Sequence, residues 1–299
     1  MLIANNHKAY IFLILATLFW SGNFIVGKAA SFFDIPPFTL NFYRWLFAWL
    51  ILAPFTLKEI YRERFHILDN LKYVLILGIT SITLFNSIVY YSLQFTQVIS
   101  GVLMISTIPV MIIFFSSLLR IEKTNFYQIM GVIFSMLGVI VIVTQLNGEK
   151  ILELSFNKGD LSIIIAMLSW ALYSALLKKK KLELSQISLL QVIISSGLIF
   201  LLPIYLIEMN QGRFVTLELP FILTLIYVVL FPGLASFICW IKGIGLIGAN
   251  RSGIFLHLMP IFSTILAILI FKEKFMIFHL VGAMLIIGGI VLSARGRHS

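Results

Sequence analysis

The chain has 299 residues, of which 60% are hydrophobic and 11% charged, with a mean hydropathy of +1.05 and a formal charge of +10. A water-soluble domain cannot hide that much apolar surface, so lipid must solvate most of the chain. One cysteine, Cys239, excludes an internal disulfide framework and a cysteine metal site, and the cations sit in short links between apolar segments, where they orient the chain and meet anionic lipid instead of nucleic acid.

A helix needs about 20 residues to cross the hydrocarbon core, and on that ruler the sequence predicts ten spans. Span 1 (9–29) is too long for a signal-peptide core and is followed by no small-x-small cleavage site, so it is read as retained. It carries a polar gap at Trp20-Ser21-Gly22-Asn23 and ends near Lys28. Span 2 (38–57) carries Arg44 towards the same membrane face as Lys28. The two cations either bind a carboxylate or phosphate, Arg44 by a bidentate fork, or snorkel to the interface. Span 3 (72–93) holds Asn86 and Tyr90, four apart and so on one helix face, with Tyr91 beside them. Span 4 (97–119) contains Ser106 and Pro109, and span 5 (126–145) contains Gly131 and Gly138.

The longest hydrophilic stretch, 146–158, leaves no room for a soluble domain. Span 6 (159–177) has Ser169-Trp170 with Tyr173 and Ser174, and ends on the lysine run 178–181. That run reads as a cytoplasmic loop. Spans 7 (186–207) and 8 (219–241) follow, the latter with Trp240 near its end. Span 9 (250–271) carries His257 and Pro260, and span 10 (276–294) carries Gly282, Gly288 and Gly289. The segments are apolar throughout rather than alternating, which excludes barrel strands.

Two halves echo each other. Pro109 recurs as Pro260, Glu122 as Glu273, Gly131 as Gly282 and Gly138 as Gly289, each at 151 residues, and Trp20 and Trp170 are 150 apart. The fold class expected is therefore an all-α integral membrane protein: ten transmembrane helices as two inverted-topology five-helix repeats, residues 1–147 and 158–296. Five spans is an odd number, so the second copy enters the membrane from the opposite side, and exchange of conformation between two such copies gives alternating access. With the N-terminus cytoplasmic, inner links hold thirteen Lys and Arg and outer links five, which places both termini inside.

The candidate functional residues lie where this symmetry is polar. Pro109 and Pro260 cannot donate to the carbonyls of Ile105 and Leu256, which then need another partner, so both prolines are candidate hinges. His257 is the histidine placed deep within a span, and the repeat maps it onto Ser106. It is either a titratable functional group or a neutral histidine bonded to a neighbouring helix. Trp20, Asn23, Arg44, Asn86, Tyr90, Ser106, Trp170, Tyr173, Trp240 and His257 form the expected cavity, walled by aromatic faces and dotted with neutral polar groups. All twelve Asp and Glu fall at loops or span ends, which argues against proton exchange through a buried carboxylate. The glycines of spans 5 and 10 read as close-packing sites for scaffold or dimer contacts, which leaves a homodimer open. No Walker loop, HExxH, GxSxG or CxxC occurs, so neither an enzyme nor a cofactor or metal site is expected.

Phe19-Trp20-Ser21-Gly22-Asn23-Phe24, Arg44-Trp45, and the proline-bearing spans 4 and 9, each followed by a turn with Glu122 or Glu273 and a glycine-rich span, together resemble the EamA type of the drug/metabolite transporter superfamily over nearly the whole chain. The resemblance implies a permease of the bacterial inner membrane. Spans 1–4 and 6–9 would surround a central cavity, and spans 5 and 10 would stand outside it. It also implies a small-molecule cargo such as amino acids, related metabolites or S-adenosylmethionine-like compounds, moved outwards or inwards. The leading expectation is a secondary transporter of small organic metabolites, most plausibly amino acids or relatives. The alternatives are a drug or nucleotide-like metabolite carrier, or a non-transporting scaffold or scramblase.

Overall fold

The computed structural model describes residues 2–95, 104–147, 158–179, 182–215, 218–271 and 275–295. Among them no strand occurs, and eight helices are long and apolar enough to cross a membrane, with a shorter apolar helix at Ile108–Leu118. We number the helices α1 (Leu2–Phe32), α2 (Pro37–Arg62), α3 (Leu71–Ser92), α4 (Ile108–Leu118), α5 (Phe126–Thr144), α6 (Lys158–Lys179), α7 (Gln186–Asn210), α8 (Leu219–Ile247), α9 (residues 249–271) and α10 (Ile277–Arg295). A short helix, Arg64–Asp69, bridges α2 and α3.

The helices start and stop for local reasons. Proline opens α2 and lies in the first turns of α4 and α8, where its missing N–H costs nothing. Asn125 and Gln128 form a capping box at the start of α5. Pro54 and Pro203 sit inside α2 and α7, where they remove one backbone bond each without ending the helix.

The repeats interlock. α5 and α10 pack antiparallel, with Gly131 against Gly289 and Gly138 against Gly282. A Cβ on Gly131 would stand 2.5 Å from the Gly289 carbonyl oxygen, so the backbones approach in a way only glycine permits. Ile133, Phe134 and Leu137 of α5, and Met284, Ile287 and Val291 of α10, point away from this contact and are exposed, as a lipid-facing surface requires. α2 packs on α7, α1 on α8, and α3 on α6, so each of these close pairs joins one half to the other. Helices related by the repeat run in opposite directions where they touch, which is the inverted topology seen directly.

Two features repeat that the sequence pattern does not signal. Ile79–Phe85 in α3 and Val229–Ala235 in α8 are each one π-type turn, at the same place in their halves. Such turns leave the regular carbonyl-to-amide register and gather at functional sites. The second repeated feature is a carboxylate at the end of each half's second helix. Glu208 accepts from Thr39 N (2.6 Å), Thr39 Oγ1 (2.8 Å) and Phe38 N (3.3 Å) at the start of α2. Glu59 accepts from Ser185 N (2.7 Å), Ser185 Oγ (2.6 Å) and Ser188 Oγ at the start of α7. Each carboxylate lies where the opposite helix presents its unpaired N–H groups and the positive end of its dipole.

Candidate functional site

The ten expected cavity residues are all buried. Four of them, Trp20, Asn23, Asn86 and Trp170, line a central cavity together with Phe85, Val89, Ile105, Ile108, Leu256 and Met259. The wall draws on α1, α3, the start of α4, α6 and α9, and so on both repeats. The cavity is narrow, with a free volume of about 20 Å³, room for about one water molecule. A substrate must therefore widen it.

The aromatic side is built on the repeat itself. Trp20 and Trp170, one residue off the repeat spacing, meet edge to face at 5.1 Å. Phe85 lies 4.6 Å from Trp170. Trp240 and Phe237 close one end beneath the two indoles, at 5.4 and 5.9 Å from Trp20, with Tyr173 5.1 Å from Trp170. Trp240 and Tyr173 thus form the floor behind the wall residues. The indole N–H of Trp20 donates to the Pro232 carbonyl in the π-type turn of α8 (3.0 Å), and that of Trp240 to Ser174 Oγ (3.2 Å). Among the described residues the N–H of Trp170 has no acceptor and the Tyr173 hydroxyl no partner.

The polar side is held by Arg44. Its side chain is 1% exposed, so it does not snorkel. Nη1 donates to Asn86 Oδ1 (2.8 Å) and to the Tyr90 hydroxyl (2.8 Å), and Nε has no partner. The guanidinium lies 4.8 Å from the Trp45 ring centroid. Among the described residues no carboxylate pairs with it. A cation buried within a span is costly, so such residues mark function by default. The Lys28 side chain lies outside the described residues.

His257 and Ser106 meet each other. His257 Nε2 lies 2.9 Å from the Ser106 carbonyl oxygen and Nδ1 lies 2.6 Å from Ser135 Oγ. A carbonyl only accepts, so Nε2 carries the proton and Nδ1 accepts from the Ser135 hydroxyl. Both ring nitrogens are thus engaged by the protein, and the adjacent Leu256 and Met259, not His257, face the cavity. The prolines mark breaks in both halves. Residues 106–107 form a turn, and α4 restarts at Ile108 with Pro109 in its first turn. α9 passes through a tighter 3₁₀ turn at Ile254–His257 before Pro260. Ile105 and Leu256, four residues before the prolines, both reach the cavity wall.

At one end of the molecule Glu122 ties the α4–α5 link to the start of α9. Its carboxylate accepts from Ala249 N (3.1 Å) and Asn250 N (2.9 Å), while Asn250 Nδ2 donates to Thr124 Oγ1 (3.2 Å). Gly248 makes the approach feasible. Its φ is +88°, and a Cβ there would stand 2.1 Å from Glu122 Oε1. The repeat counterpart, Glu273, lies outside the described residues.

Sequence reasoning missed the apolar wall, since Phe85, Val89, Ile108 and Met259 look like any other membrane residue. It placed Glu59, Glu122 and Glu208 at span ends without seeing that each caps a helix of the other half.

The cavity draws its wall from both members of the repeat, the arrangement found in membrane carriers built on inverted repeats. The EamA-like transporter family model matches residues 7–144 and 157–295. The chain belongs to that family, and it is a multi-pass membrane transporter. An uncharacterized transporter of Archaeoglobus fulgidus is 26% identical over 98% of this chain and 99% of its own length. The uncharacterized transporter YetK of Bacillus subtilis is 26% identical over 98% of this chain and 88% of its own. A solved crystal structure of another protein, 17% identical, superposes with a TM-score of 0.74 over 96% of both chains and has the same fold.

Proposed function

We propose that the protein is a secondary transporter of small organic metabolites, most plausibly amino acids or their relatives, working by alternating access through the central cavity in the inner membrane with both termini cytoplasmic. One observation carries the reading. A single cavity joins an aromatic side (Trp20, Trp170, Phe85), a polar side (Asn23, Asn86), and the residues four before each proline, Ile105 and Leu256. That combination suits an amphipathic organic molecule better than a bare ion. A scramblase would need a polar groove open to lipid, and the described polar groups face inwards instead.

The test is an unbiased metabolite comparison. The native protein and a Trp20→Ala Trp170→Ala variant are overproduced in a bacterial inner membrane, and cells and medium are profiled by mass spectrometry. A few metabolites moved across the membrane only with the native protein are expected. Identical profiles, with both proteins inserted, would remove the transporter of small metabolites as the reading of this cavity.

A further inference from the structure

We infer that the polar side of the cavity is a carboxylate site whose contact residue is Asn23, charged from behind by Arg44 through Tyr90; this rests on the transport reading above. The reasoning is one of donors and acceptors. Arg44 can only donate, so the lone pair of the Tyr90 hydroxyl receives its N–H, and the hydroxyl proton must go elsewhere. It goes to Asn23 Oδ1 at 2.9 Å. That bond fixes the Asn23 amide with its NH₂ on the side away from Tyr90. Asn23 lines the cavity. Asn86 is fixed in the same way. Its Oδ1 accepts from Arg44 and its Nδ2 donates to the Ser81 carbonyl (2.7 Å), which leaves one further N–H.

Trp170 also lines the wall, and its indole N–H is buried without an acceptor among the described residues. The polar side chains of the wall thus offer donors whose acceptors are already spent on the Arg44 network, backed by one positive charge with no counterion among the described residues. An anionic oxygen is the group that such a surface takes. One charge and a narrow space select a monoanionic carboxylate on an apolar body over a phosphate ester. Arg44 does not grip the substrate by a direct fork. It polarises the chain Tyr90–Asn23 and is a positioning residue.

Arg44→Ala removes a large buried side chain and can fail through misfolding alone. Asn23→Asp and Tyr90→Phe are near-isosteric and decide the matter. Asn23→Asp puts an acceptor where the donor stood, and Tyr90→Phe cuts the chain between Arg44 and Asn23. The metabolite comparison is repeated with both variants, each matched to the native protein in insertion and thermal stability, and the moved compounds are sorted by head group. Every compound moved is expected to carry a carboxylate, and each variant is expected to lower that flux at least tenfold. Moved compounds without an anionic oxygen, or phosphate esters as the main cargo, overturn the carboxylate site while the transporter reading stands. Full carboxylate flux in both variants overturns the relay. If nothing moves with the native protein, the transport reading fails and the inference with it.

Discussion

Arg44 shows how burial converts a charge into a site. On the sequence its long side chain had an exit to the interface, and the structure closes that exit by placing it beneath Trp45 and between Asn86 and Tyr90. His257 ends the other way. Its two ring nitrogens are bound to Ser135 and to the Ser106 carbonyl, which lies in the turn between the two segments of span 4. We therefore expect His257→Gln to leave the pH profile of transport unchanged, whereas His257→Ala should lower stability by about 2–4 kcal/mol. The loss is that of a large-to-small change in the core, which leaves a cavity and takes the Ser135 hydroxyl's partner away. Transport assayed across pH in vesicles and thermal melts of the purified protein check the pair. A flattened pH profile in His257→Gln would restore histidine as a proton carrier.

At the scale of elements, the acids are the informative residues. Three of them cap helix starts across the repeat boundary, and the Glu59 and Glu208 caps are equivalents in the two halves. Both stand formed at once, one at each end of the α2–α7 pair, so this pair is tied at both membrane faces and behaves as a strut. Their worth differs with burial. Glu208 is 3% exposed and Glu59 is only half-buried. Charge-assisted bonds contribute about 1.5–3 kcal/mol when sheltered and far less where solvent screens them. Glu208→Gln should therefore lower the melting temperature clearly more than Glu59→Gln, as thermal unfolding in detergent would report. Equal shifts would show that the caps are not distinguished by burial.

The helices themselves were legible because apolar runs of about 20 residues have few alternatives in lipid. Pro109, Pro260 and the four glycines announced the repeat. The π-type turns were not legible. They follow from how α3 and α8 fit their neighbours, and Ile79–Phe85 carries no proline or glycine to signal one. The caps were hidden for another reason: an acid at a span end has meaning only once the helix that starts beside it is known. Of the cavity, the polar and aromatic half was readable by residue type, whereas the aliphatic half was not.

The whole molecule is held by pairs that cross from one half to the other, so its orientation is a single property of all the helices. The orientation proposed from the cation bias has the end of α6, with Lys178 and Lys179, on the cytoplasmic side. In a background with Cys239→Ser, Lys179→Cys should react with a membrane-impermeant maleimide in inside-out vesicles and not in intact spheroplasts. Labelling from the periplasmic side would reverse every inner and outer assignment at once.

Ser106 touches His257, and Trp20 touches Trp170, which means that certain positions meet their own counterparts or lie one residue from doing so. In an assembly of two separate, identical five-helix units, such a position would face a copy of itself. Tryptophan tolerates that, and two indoles edge to face are a favourable pair. The His257 ring needs only the backbone carbonyl of position 106, which any residue there supplies, so this contact leaves the side chain at 106 free to differ. Joining the units in one chain lets the two halves use that freedom, with serine on one side of the contact and histidine on the other.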